Sequence, residues 1–143
     1  MRMSVSRRVA RPAQDVFGFF ADASNNPRWQ AGMVSCTWTT EPPLRVGSRY
    51  EQVARFMGRE IRSLFEVTEF EPGRRLRIET IESTFPIQVH RWVESVDAAT
   101  CTVNAEIEGG PQGLWRILEP MMARRAQKSV DADYDRLQQL LES

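Results

Sequence analysis

The chain has 143 residues, nineteen Lys+Arg against nineteen Asp+Glu, 41% hydrophobic and 27% charged residues. That size suits one globular domain, residues 1–143, and the zero formal charge argues against a general nucleic-acid binder, whose affinity rests on a basic surplus. No apolar run approaches the roughly 20 residues of a membrane helix, so no stable membrane insertion is expected, and Met1-Arg2-Met3-Ser4-Val5-Ser6 lacks the apolar core of a signal peptide, which makes the cytoplasm the expected address.

Residues 3–11 read as a first strand, with Met3, Val5 and Val9 alternating against Ser4, Ser6 and Arg8. Pro12 suits the first position of a helix over 12–22, which puts Val16, Phe17 and Phe20 on one face. The breakers Asp22, Ser24, Asn25, Asn26 and Pro27 leave room for a second short helical turn ending near Trp29. Strands follow over 33–40, 48–57, 59–70, 75–81, 86–95 and 100–108, with Gly58 and Pro72-Gly73 supplying turns. The last alternates most cleanly, Cys101, Val103, Ala105 and Ile107 against Thr102, Asn104, Glu106 and Glu108, so one sheet face is covered and the other wet. After Gly109-Gly110 the pattern is helical. Pro120 must kink that helix or start a new segment, and Met122, Ala126, Val130, Tyr134, Leu137 and Leu141 form one apolar stripe beyond it. The reading is an α+β fold: a curved antiparallel sheet of about seven strands around a long C-terminal helix, with two short helices after the first strand. One helix cannot fill the whole concave side of such a sheet, so a cavity between them is expected.

Familiar chemistry is absent from the motifs. The single histidine, His90, removes H-E-x-x-H and three-histidine metal sites, and there is no G-x-S-x-G, Walker or G-x-G-x-x-G pattern, so neither metal nor cofactor is expected. Cys36 and Cys101 form no C-x-x-C pair, and a reducing compartment argues against joining them.

Five segments carry a resemblance. Val9-Ala10-Arg11-Pro12-Ala13-Gln14-Asp15-Val16-Phe17, Ala21-Asp22-Ala23-Ser24-Asn25-Asn26-Pro27-Arg28-Trp29, Val46-Gly47-Ser48, the stretch from Glu66 to Leu76 that contains Glu71-Pro72-Gly73, and Leu137-Gln138-Gln139-Leu140-Leu141-Glu142 follow one another in the order and spacing of the SRPBCC superfamily. The chain resembles its START-like, Bet v 1-like helix-grip members, and among them the polyketide cyclase/dehydrase branch. The resemblance implies a cavity that takes up a small hydrophobic molecule, such as a polyketide or lipid. It leaves open whether the protein only binds or also acts as a cyclase or dehydratase, since the fold is shared and the chemistry is not.

Strand alternation nominates the lining. Val34, Cys36 and Trp38 should face inward from the second strand, Tyr50, Gln52, Ala54 and Phe56 from the third, Ile61, Ser63, Phe65 and Val67 from the fourth, and Leu76, Ile78 and Thr80 from the fifth. The sixth has two registers. One buries Ile87, Val89, Arg91 and Val93; the other buries Gln88, His90 and Trp92. The first is preferred because it hides three β-branched residues, and it buries Arg91, which then needs a partner or a ligand's acidic group. The candidate ligand residues are therefore Trp38, Tyr50, Gln52, Phe56, Phe65, Ile78, Val89, Arg91, Leu118, Met121 and Met122, with Leu114 a further wall residue. Arg91 could hold a carboxylate, enolate or phenolate, Tyr50 could orient a polar atom, and His90 would be the acid/base group if it faced inward; these three are the catalytic candidates. The basic groups near Arg7, Arg75 and Arg124 read as solvated faces. A partner-binding role would need long exposed apolar patches, which the sequence does not show, and a sheet edge could pair two copies into a homodimer.

Overall fold

The computed structural model describes residues 1–56, 58–110, 117 and 119–143. Seven antiparallel strands form one sheet: β1 (Arg2–Val9), β2 (Met33–Trp38), β3 (Arg49–Phe56), β4 (Arg59–Glu71), β5 (Arg75–Glu82), β6 (Ile87–Asp97) and β7 (Thr100–Gly109). Their spatial order, β1-β7-β6-β5-β4-β3-β2, is a meander with the first strand carried round to the last. Helix α1 (Ala13–Ala21), a 3-10 turn at Ala23–Asn25 and α2 (Asn26–Trp29) link β1 to β2, and the long α3 (Glu119–Glu142) closes the concave side. Pro12 sits one place earlier than expected, at the N-cap of α1, and Pro120 lies in the first turn of α3, where its missing N–H costs no helical hydrogen bond.

Register shifts give the sheet its curl. An extra residue in one strand bends it and reverses the alternation beyond. The shift between Met33 and Ser35 leaves Val34 unpaired and 45% exposed, so Val34 does not face inward as the alternation suggests. The shift between Val67 and Glu69 turns Glu69 outward toward Arg75 and Arg77, and lets Phe70 stack on Phe17 under α1. In β6 the observed register has Val89, Arg91 and Val93 buried, with His90 and Trp92 stacked on each other on the outer face.

The core follows from these faces. Val16, Phe17 and Phe20 of α1 and Leu137 and Leu141 of α3 pack against the buried residues of β1, β6 and β7. Trp29, fully buried, plugs the corner between α2 and α3 and meets Tyr134 edge-to-face at 5.0 Å. Arg7 reaches from β1 to Asp135 at 2.7 Å, and the Asp133 carboxylate accepts from the Ala31 N–H at 3.1 Å, tying α3 to both the first strand and the corner. Cys36 and Cys101 are both buried and free. No described helix is long and apolar enough to cross a membrane.

Candidate functional site

A cavity of about 250 Å³ lies between the concave face of β3–β7 and the first half of α3. It is at the small end for organic ligands. Strand β3 spans its length, from Tyr50 at the buried end to Phe56 at the other, where Phe56 meets Phe85 edge-to-face at 6.2 Å. Phe65, Ile78, Val89 and Ile107 supply the apolar floor, and Met122, Ala126 and Val130 of α3 the roof.

The buried end is polar. Arg91 is only 7% exposed, and its Nε donates to the Tyr134 hydroxyl at 2.8 Å. Its guanidinium carbon stands 5.2 Å from the centroid of the Trp29 ring, a cation–π arrangement. No carboxylate among the described residues pairs with it, and neither terminal NH₂ group has a hydrogen-bond partner there. Burial opposes the charge, and the hydrogen bond that Nε donates to Tyr134 supports it. Asp133, an acid that feels the charge of Arg91, accepts from Arg136 at 2.9 Å, and burial raises its pKa.

The neighbours of Arg91 are neutral. Burial pushes the Tyr50 and Tyr134 phenols above their usual range, against the pull of Arg91. Burial also pushes the Cys36 thiol up to about 11, although Asn26 and Arg91 pull it down. Cys36 touches the Asn26 amide at 3.8 Å and the Gln52 carbonyl oxygen at 4.0 Å. Three polar atoms at this end are buried without a partner: Asn26 Oδ1, Trp29 Nε1 and Gln30 Nε2. A folded protein rarely leaves such groups unpaired unless water or a ligand completes them.

Tyr50, Gln52, Phe56, Phe65, Ile78, Val89, Arg91 and Met122 all line this cavity. Three other candidates do not. Trp38 lies past Tyr50 at the end of the edge strand and lines a separate pocket, its indole 5.2 Å from the Tyr50 ring. Met121 is 48% exposed, because one residue's rotation about α3 carries it off the stripe that buries Met122. His90 is on the outer face, beyond reach of the cavity; burial and the nearby Arg77 and Arg75 hold its pKa below the usual imidazole value, against Glu69 and Glu106. Leu114 and Leu118 lie outside the described residues. Strand alternation does not single out Tyr134 or Gln30, although Tyr134 is the one polar-tipped residue on the apolar stripe of α3. No group of three metal-ligating side chains occurs among the described residues.

A seven-stranded sheet gripping a long C-terminal helix over an internal cavity defines a START-like helix-grip protein. The chain belongs to the polyketide cyclase / dehydrase and lipid transport family, whose model matches residues 1–142. Its fold is similar to that of a protein from Thermus thermophilus (16% identity, 99% of this chain and 97% of that one, TM-score 0.85). It is also similar to a START superfamily protein from Mycobacterium smegmatis (11% identity, 97% and 98%, TM-score 0.72). The di-domain ARO/CYC StfQ from the steffimycin biosynthetic pathway shares the fold over 98% of this chain and 45% of its own (16% identity, TM-score 0.74). No curated protein matches the sequence.

Proposed function

We propose that this protein binds a small, mainly apolar carboxylate in the cavity between sheet and α3. The observation that carries the reading is the unpaired end of Arg91, which opens on the cavity from an otherwise buried side chain. A charge so largely removed from water and without a counter-ion is costly, and a ligand anion is a partner that offsets the cost. The geometry narrows the anion. Nε is taken by Tyr134, so the side-on fork of the guanidinium is closed and the end-on pair of NH₂ groups remains. Two parallel donors match the two oxygens of a carboxylate better than the single oxygen of a phenolate or enolate. The Tyr50 hydroxyl and the Gln52 amide stand beside this end to orient a second polar atom, and the apolar floor takes the body.

A cyclase or dehydratase acting in the same cavity is the second reading, supported by the family and by the likeness to ARO/CYC domains. Arg91 and Tyr50 would then stabilise an enolate oxygen as donors. Proton transfer near neutrality favours a group with a pKa near the working pH, whereas Tyr50, Tyr134 and Cys36 are all shifted upward and His90 faces away. The described lining therefore favours holding a molecule over transforming it.

Calorimetric titration with 2-naphthoate and its neutral amide tests the proposal. Saturable binding of the acid, weaker binding of the amide, and loss of that preference in Arg91→Met support it. Equal affinity for both compounds in the unmodified protein contradicts it.

A further inference from the structure

A second cavity, of about 470 Å³, opens on the other side of the Trp38–Tyr50 contact, between α1 and the loop that joins β2 to β3. Its walls are apolar: the Trp38 indole, Phe17, Pro42, Pro43 and Leu44. Among the described residues of its lining the formal charges are the carboxylates of Asp22 and Glu41, with no lysine or arginine. This is the reverse of the first cavity, where the charged side chain among the described lining residues is Arg91.

The Asp22 carboxylate is held in place. Its Oδ1 accepts three hydrogen bonds, from Ser24 N–H at 3.0 Å, Ser24 Oγ at 2.7 Å and Trp38 Nε1 at 2.9 Å. Its Oδ2 has no partner among the described residues. Burial works against its charge, yet the bonds from Trp38 and Ser24 outweigh burial and hold its pKa below the usual carboxylate value. Glu41 brings a second acid to the rim, and its carboxylate has no cationic partner among the described residues. The loop that carries it is braced by Arg45, which donates to the Glu41 and Pro43 backbone carbonyls at 3.0 Å each.

From this pairing of an aromatic and proline-walled cavity with a fixed, half-satisfied carboxylate we infer a second binding site, specific for a small organic ammonium ion with an apolar body. The ammonium would donate to Asp22 Oδ2, Glu41 would add long-range attraction, and the indole and prolines would cover the hydrocarbon part. An anion is repelled by both carboxylates, and a neutral molecule gains only the apolar contact.

The probe is phenethylammonium, followed by the Trp38 indole N–H resonance in ¹⁵N-correlated NMR spectra and assigned with Trp38→Phe. The expected result is a saturable shift of that signal, with no comparable effect of phenethyl alcohol. Asp22→Asn keeps an acceptor for Trp38 and Ser24 while removing the charge, and should weaken binding about tenfold, the scale of one charge-assisted hydrogen bond. Glu41→Gln, at an exposed position, should weaken it less, by an amount that shrinks with added salt. Arg91→Met should leave it unchanged. The inference is overturned if the Trp38 signal does not saturate, if the alcohol binds as well as the amine, or if both acid variants bind as the unmodified protein does.

Discussion

Tyr134 of α3 accepts the Nε–H of Arg91 from β6 at 2.8 Å, so the one buried cation of the sheet is oriented by the helix that closes it. The bond joins helix position to ligand chemistry. Tyr134 determines which edge of the guanidinium stays free, and the Trp29 ring packs on it with its centroid 5.2 Å from the guanidinium carbon. Removing the hydroxyl in Tyr134→Phe leaves a buried charged donor unpaired and should cost about 1–3 kcal/mol of stability by urea unfolding. It should also weaken binding of 2-naphthoate, because the guanidinium loses the bond that holds its free edge toward the cavity.

Function and stability should separate at this pair. A buried charge without a counter-ion is a poor stabiliser, and well-packed apolar residues of similar volume often replace such groups without loss. The double variant Arg91→Met/Tyr134→Phe should therefore unfold at the same or higher temperature than the unmodified protein in the absence of ligand, while no longer discriminating the acid. A fall in thermal midpoint would show that Arg91 is held for folding.

Filling the cavity should have a similar signature by another route. Ala54 lies on β3 between Gln52 and Phe56 and faces the space. Ala54→Leu should raise the stability of the empty protein by about 1 kcal/mol, the usual gain from cavity filling, and abolish naphthoate binding.

His90 gives a pH test that is independent of the cavity. Its folded pKa lies below the ordinary 6.5, with burial the largest cause and Arg77 and Arg75 next. The unfolded chain therefore binds this proton more tightly than the folded one. Stability should be fully present above the unfolded value and should decline as pH falls from about 6.5 toward the folded pKa. With one histidine in the chain, a single imidazole NMR titration reads the folded value, and His90→Gln should remove the slope without altering naphthoate affinity.

The end of β7 depends on a glycine. Gly109 has φ +132°, and a Cβ there would run into the Pro86 carbonyl oxygen and lie 2.8 Å from Ile87 Cα. Both obstacles are backbone, so Gly109→Ala should lower stability by about 2 kcal/mol or more, read as a fall in the urea midpoint, through strain at a left-handed position.

Reading the chain without coordinates goes as far as periodicity reaches. Ile87, Val89 and Val93 decide the face of β6, and the inward position of Arg91 follows from them. The alternation of β3 and β4 likewise identifies most of the lining. Alternation reports a face, however, and not a place along it: Trp38 is inward yet sits beyond Tyr50 in another cavity. It also fails where a strand gains a residue, as at Val34. The Arg91–Tyr134 bond spans 43 positions and depends on how α3 is rotated over the sheet, which no local pattern encodes.

The account stands on Arg91 as the anchor of a ligand's acid group, and a crystal structure of the protein grown with 2-naphthoate tests this most directly. The predicted density has the naphthyl ring against Phe65 and Val89 and both carboxylate oxygens within about 3 Å of the Arg91 terminal nitrogens. Density for the acid at any other place, or a cavity closed by its own side chains, would contradict it.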